Sequence, residues 1–139
     1  MMKKWFGAIA LAVALSWSRP AAASSYFATA ALLLDETHRS DDWMQSHYGD
    51  QKLADILHQL SEARVKCSRA LLVPKEADRA HPHLLLALEA SERAMAAALE
   101  GESKHFIHLV MQAFEEERTF RAILTQENIK LPELDRPRK

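Results

Sequence analysis

The distribution of helix breakers constrains this chain more than any other feature. Between residues 24 and 127 the only glycines are Gly49 and Gly101 and the only prolines are Pro74 and Pro82. Glycine costs a helix interior about 1 kcal/mol and proline about 3, so long stretches free of both are free to be helical. The four stretches these residues delimit carry apolar side chains at three- and four-residue spacing, with no strand-like alternation bounded by turn pairs.

Segment one runs from about Tyr26 to Tyr48, with Phe27, Ala31, Leu34 and His38 on one stripe and Gln45 and Tyr48 extending it. Its middle, Asp35 to Asp42, is polar, and Ser40 is a candidate cap for a second short helix, which would break the segment there. Segment two runs from Asp50 to Val73. Its expected core stripe is Leu53, Ile56, Leu60, Ala63, Cys67 and Ala70. Gly49 suits a left-handed helix end and Asp50 a cap. Segment three, Pro82 to Glu100, places Leu84, Leu88, Ser91, Met95 and Ala98 on its stripe and is apolar around much of its circumference. Pro82 suits a first helical turn. Segment four, Ser103 to Glu127, aligns Phe106, Val110, Ala113, Glu117, Phe120 and Leu124, with Ser103 a candidate cap. Residues 128–139 hold Pro132 and Pro137 and read as an irregular tail.

Four helices joined mostly by short links predict an all-α, antiparallel up-down-up-down four-helix bundle over residues 24–127. The layout resembles that of the periplasmic four-helix cytochromes. No functional residue transfers: segment four has no His near its end, and one cysteine forbids a Cys-x-x-Cys-His haem attachment.

Residues 1–23 read as a secretory signal. Lys3 and Lys4 precede an apolar run from Gly7 to Ser18, and Ala21-Ala22-Ala23 is a small-residue cleavage site before Ser24. The run falls well short of the roughly 20 residues of a membrane span, and Arg19-Pro20 interrupts it. The expectation is a periplasmic or secreted protein with no stable membrane insertion after cleavage. Loss of Lys3, Lys4 and Arg19, with no acid lost, takes the formal charge from −1 to −4. A mildly acidic domain is a poor nucleic-acid binder.

The chain carries seven histidines, and imidazole is the commonest side-chain ligand of transition metals. The links at Gly49 and Gly101 share one end of the expected bundle. His47 sits at that end, His105 and His108 lie about 4 and 9 Å along segment four, and His58 about 12 Å along segment two. His47, His58, His105 and His108 are therefore candidate ligands for a transition metal, and Met44 or a histidine of segment one, with a histidine of segment four, is a candidate pair for noncovalent haem. His81-Pro82-His83, at the opposite end, reads as a helix start. Glu117 interrupts an apolar stripe at the same depth as Arg64, which predicts an ion pair in a polar core layer. Glu36, His38 and Glu89 or Ser91 would join it, because an unpaired buried charge is costly.

Cys67, on the expected core stripe, is expected as a buried thiol, with an intermolecular disulfide as the alternative. Trp43, Met44 and Tyr48 are expected to pack against Phe106 and Leu53 or to form a partner-binding patch. No glycine-rich phosphate loop, Gly-x-Ser-x-Gly or His-Glu-x-x-His occurs. Asp35-x-x-His38 stands alone, without the repeated Glu-x-x-His of di-iron bundles. The function expected is that of a non-catalytic binding or interaction module without an obligate cofactor. Its partner would be another periplasmic protein or a second copy. The alternative is a small metal- or haem-binding bundle.

Overall fold

The computed structural model describes the backbone of residues 3–134 and the side chains of Ala23 and of residues 25–134. Among these the chain is all-helical, without strands: α1 (Lys3–Ser46), α2 (Gln51–Arg69), α3 (His81–Leu99) and α4 (Ser103–Gln126), with one 3-10 turn at Lys75–Ala77. The expected signal segment, 1–23, lies outside the described side chains except for Ala23. No helix of the described residues is long and apolar enough to cross a membrane.

The helix ends follow local chemistry. Gly49 (φ 100°) and Gly101 (φ 72°) take the left-handed conformation that lets the chain reverse after α1 and α3. Asp50 caps α2 by accepting from the Leu53 amide at 3.1 Å. Ser103 is the first residue of α4 rather than its cap; Glu102 holds that position without a side-chain hydrogen bond. After α4, Asn128 (φ 59°) is left-handed, and the Ile129 amide reaches back to the Leu124 carbonyl at 2.8 Å. That turn folds Ile129 and Leu131 of the tail onto the core. Ser40 does not break α1. Its side chain is buried and the helix runs through to Ser46.

Packing runs chiefly between α3 and its neighbours α2 and α4, with α1 laid against α2 and α3. Cross-helix bonds show the sense of each pairing. Tyr26 meets His81 and Asp41 meets Ser91, so α1 and α3 advance together. Along α1 and α4 the order reverses, His38 meeting Glu117 and Tyr48 meeting Phe106. It also reverses along α2 and α3, where His58 and Glu62 lie beside Glu92 and Arg69 pairs with Glu89.

The apolar core falls into two clusters. One gathers Tyr26, Leu34, Val65, Leu84, Leu88 and Phe120. The other gathers Met44, Leu57, Met95, Phe106 and Val110. Buried polar side chains lie between them: Thr37 and Asp41 of α1, Ser91 of α3 and Glu117 of α4. The stripes of α3 and α4 are buried as expected, Glu117 included.

The stripe of α2 is reversed. Its buried face is Ala54, Leu57, Ser61, Val65 and Ser68. Ile56 is 56% exposed and Leu60 49%. Ala63, Cys67 and Ala70 are also exposed, and Leu53 is half-buried. Glu89 and Glu92 mark the side of α3 that meets α2, and there the α2 face mixes small residues (Ala54, Ser61 and Ser68) with Leu57 and Val65. Small side chains let two helices meet closely, and Ser61 and Ser68 fit once their hydroxyls bond back to the His58 and Val65 carbonyls, each at 2.7 Å.

Candidate functional site

The polar layer is built around α1. Asp41, 1% exposed, accepts from the Ser91 hydroxyl at 2.7 Å. Burial pushes its carboxyl up from 3.8 to about 6, although the Ser91 bond and the Arg64 and His38 charges pull the other way. Arg64 crosses from α2. It donates to the Ser40 hydroxyl at 3.0 Å and to the Glu36 carbonyl at 3.4 Å. Burial lowers its affinity for its proton.

On the other side of α1, His38 hydrogen-bonds Glu117. Arg121 holds the second oxygen of Glu117 through Nη2 at 3.0 Å and Nε at 3.2 Å. The Glu117 bond raises the His38 pKa against the effect of burial. For Glu117, burial is the largest influence and pushes upward, but His38 and Arg121 together outweigh it and hold the carboxyl below its ordinary value.

The expected layer is thus redistributed. Arg64 and Glu117 do not pair, because α3 is the main neighbour of both α2 and α4 and Arg64 is taken up by α1. Glu36 serves through its backbone carbonyl. Glu89 leaves the layer for a surface pair with Arg69 at 2.9 Å. Asp41, absent from the expectation, is its most buried acid. A legible signal existed: Ala30, Leu34, Thr37, Asp41 and Met44 continue the three-four spacing straight through the polar stretch of α1.

Because α1 leans on α2 and α3, an open groove of about 630 Å³ lies along its α4 side. Phe114, with its ring centre 4.5 Å from that of His38, lines it beside Met111, Arg118 and the Glu117–Arg121 pair. The groove is amphipathic and its central carboxylate is already satisfied. Among the described residues no Ser, Thr or Cys side chain is hydrogen-bonded to an imidazole.

The histidines disperse. His47 turns its Nδ1 to the Trp43 carbonyl at 3.0 Å, and His105 turns to Glu102 at 3.2 Å. His108 is exposed. No three of His47, His58, His105 and His108 bring ligand atoms within 4.8 Å of one another. A helix end and two separate helix faces hold them apart. Instead, His58 converges with Glu62 and Glu92. Met44 is fully buried among Ala54, Leu57 and Phe106. At the other end, the Tyr26 hydroxyl hydrogen-bonds His81 Nδ1 at 2.8 Å, and burial lowers the His81 pKa. His83 pairs with Glu116 at 2.7 Å.

The remaining feature is the outward face of α2. Ile56, Leu60, Ala63 and Cys67 follow one another at helical spacing and all are exposed. Cys67, expected in the core, is therefore a surface thiol. Trp43 of the neighbouring α1 is 54% exposed, while Tyr48 packs on Phe106 with ring centres 5.4 Å apart. Compared with protein-family models, with curated proteins and with solved structures, the chain matches none.

Proposed function

We propose that the chain is an exported, non-catalytic interaction module of the periplasm. In this reading residues 1–23 direct export and are removed before Ser24, and residues 24–127 form an up-down-up-down four-helix bundle. The alternating sense of the cross-helix bonds supports that arrangement. The observation that carries the function is the outward stripe of α2, with Ile56 56% and Leu60 49% exposed. A bundle has no internal use for its best apolar stripe on the solvent side, and such faces mark contact surfaces.

The occupant this face fits is a second copy of the chain. Asp55, Gln59, Glu62 and Lys66 border the stripe on one flank, at helical spacing. A twofold axis between antiparallel α2 helices brings like flanks together head to tail. Asp55 of one copy then lies beside Lys66 of the other, and the two copies of Leu60 meet at the axis.

Sedimentation of the protein beginning at Ser24 tests this. The expected result is a reversible, concentration-dependent dimer that Leu60→Glu dissolves with helicity intact. Asp55→Lys should weaken it, and adding Lys66→Asp should restore it. A chain that stays monomeric at millimolar concentration overturns self-association, and one exported with residues 1–23 attached overturns the processing.

A further inference from the structure

We propose that His58, Glu62 and Glu92 form a binding site for a divalent transition cation of the zinc type. The starting point is a charge anomaly along the seam between α2 and α3. At one level of the seam Arg69 meets Glu89 at 2.9 Å, a complementary pair. At the next, Glu62 meets Glu92, an acid facing an acid. The side chain that joins them is His58, whose Nε2 lies 3.5 Å from Glu62, beyond good hydrogen-bonding range. Glu92 makes no hydrogen bond or ion pair with any described residue. Two carboxylates held together at a half-buried helix interface repel each other, and among the described residues no Lys or Arg pairs with either.

The register of the helices builds the site. His58 and Glu62 are four residues apart on α2, which puts both side chains on the same face about one turn apart. Glu92 approaches from α3. Their ligand atoms all lie within 4.8 Å of one another and all three residues are half-buried. Bonds of about 2.0–2.2 Å to a common ion require the three donors to draw closer. Side-chain rotation supplies that movement.

The donor set selects the ion. One imidazole nitrogen and two carboxylate oxygens suit zinc and its transition-metal neighbours, whereas magnesium and calcium prefer all-oxygen shells. Three protein ligands leave a position for water. The cation neutralises the acid pair and ties α2 to α3. His58 points to the α3 side of α2, away from the Ile56–Cys67 stripe, and Glu62 lies on the flank between the two, so the site lies beside the proposed contact face and not within it.

The test uses the mature protein, stripped with a chelator. Zinc is titrated calorimetrically and cobalt by visible absorption. The expected result is one zinc per chain, with a cobalt spectrum of low coordination number. Loss of a direct ligand in His58→Ala or Glu92→Gln should weaken binding by at least about tenfold, since even supporting partners of metal ligands cost that much. A His47→Ala, His105→Ala, His108→Ala triple variant should bind as the wild type. Without metal, Glu92→Gln should melt no lower than the wild type, because it removes a repulsion, so lost binding cannot be ascribed to misfolding. No zinc binding at millimolar metal, or binding that survives both His58→Ala and Glu92→Gln, overturns the site.

Discussion

Asp41 sits in the protein interior at an energetic loss, and removing its charge should stabilise the fold in a pH-dependent way. The carboxyl is 1% exposed and titrates near 6 rather than 3.8. A folded value above the unfolded one means that folding favours the protonated acid. Its contribution is therefore fully present below pH 3.8, declines as pH rises, and is lost above about 6. That displacement corresponds to about 3 kcal/mol. Asp41→Asn keeps an oxygen to accept from Ser91 and cannot ionise. Urea unfolding of the mature protein between pH 3.5 and 8, in ~0.15 M salt to screen surface charges, isolates the effect. His81 and Glu117 titrate in both proteins and largely cancel in the difference. The variant should match the wild type within about 1 kcal/mol below pH 4, gain through pH 4–6, and level off above pH 6 at up to about 3 kcal/mol more stable. A difference that stays flat across this range, or a wild type that is the more stable at pH 7.5, would refute the argument that burial without full compensation governs this residue.

The opposite face of the layer should respond differently. In Glu117→Gln the His38 pKa should fall toward that of an ordinary histidine, followed by NMR titration of the imidazole. The wild type holds the His38–Glu117 contribution below pH 6.5 and loses it as pH rises through the raised His38 value, and the variant should lack that loss. A His38 pKa unmoved by the substitution would show that the bond does not set it. Core and groove should also separate: Phe120→Ala, at a side chain with 0% exposure, should cost about 3–5 kcal/mol, whereas Met111→Ala, at 59% exposure, should change stability by less than about 0.5 kcal/mol. Chemical denaturation measures both. Asp50→Ala should cost about 1 kcal/mol by loss of the α2 cap, and an unchanged midpoint would remove the Asp50–Leu53 bond from any role in stability.

Where side-chain size and burial agree, the sequence was a good guide. In α3 and α4 the residues of the central stripe are the buried ones, even Glu117, while Leu86, Ile107 and Met111 beside it stay exposed. In α2 the two criteria part. Choosing the stripe by bulk selects Ile56 and Leu60, but the buried face carries Ala54, Ser61 and Ser68 beside Leu57 and Val65. Periodicity alone could not decide, because both faces of α2 repeat at helical spacing. Asp41 was obscured for a related reason. Four polar residues in a row, Arg39 to Asp42, suggest a solvated break, yet Ser40 and Asp41 turn inward and the stripe runs on through Thr37 and Asp41. The metal candidates drawn from the sequence were grouped by height along the bundle. Height does not specify the face, and His58 shares its face with Glu62 rather than with any other histidine.

The strength of the α2 contact can be bounded, and Cys67 decides its geometry. Ile56 and Leu60 have about half of their surface left to bury. Full burial of such a side chain is worth about 1.5–3 kcal/mol, so four half-exposed residues across a twofold contribute about 3–6 kcal/mol. Association costs about 4 kcal/mol or more in lost freedom. The apolar stripe alone therefore gives a weak dimer, and the Asp55–Lys66 pairs choose its orientation more than its strength. In the antiparallel arrangement the two copies of Cys67 stand at opposite ends of the seam, roughly 20 Å apart along the helices. A disulfide needs its Cα atoms within about 7 Å. The protein held under mild oxidation should therefore run as a monomer on a non-reducing denaturing gel, at concentrations where sedimentation shows the dimer. Rapid accumulation of a Cys67-linked dimer would place the two α2 helices side by side and parallel, and the charge argument from Asp55 and Lys66 would fall with it.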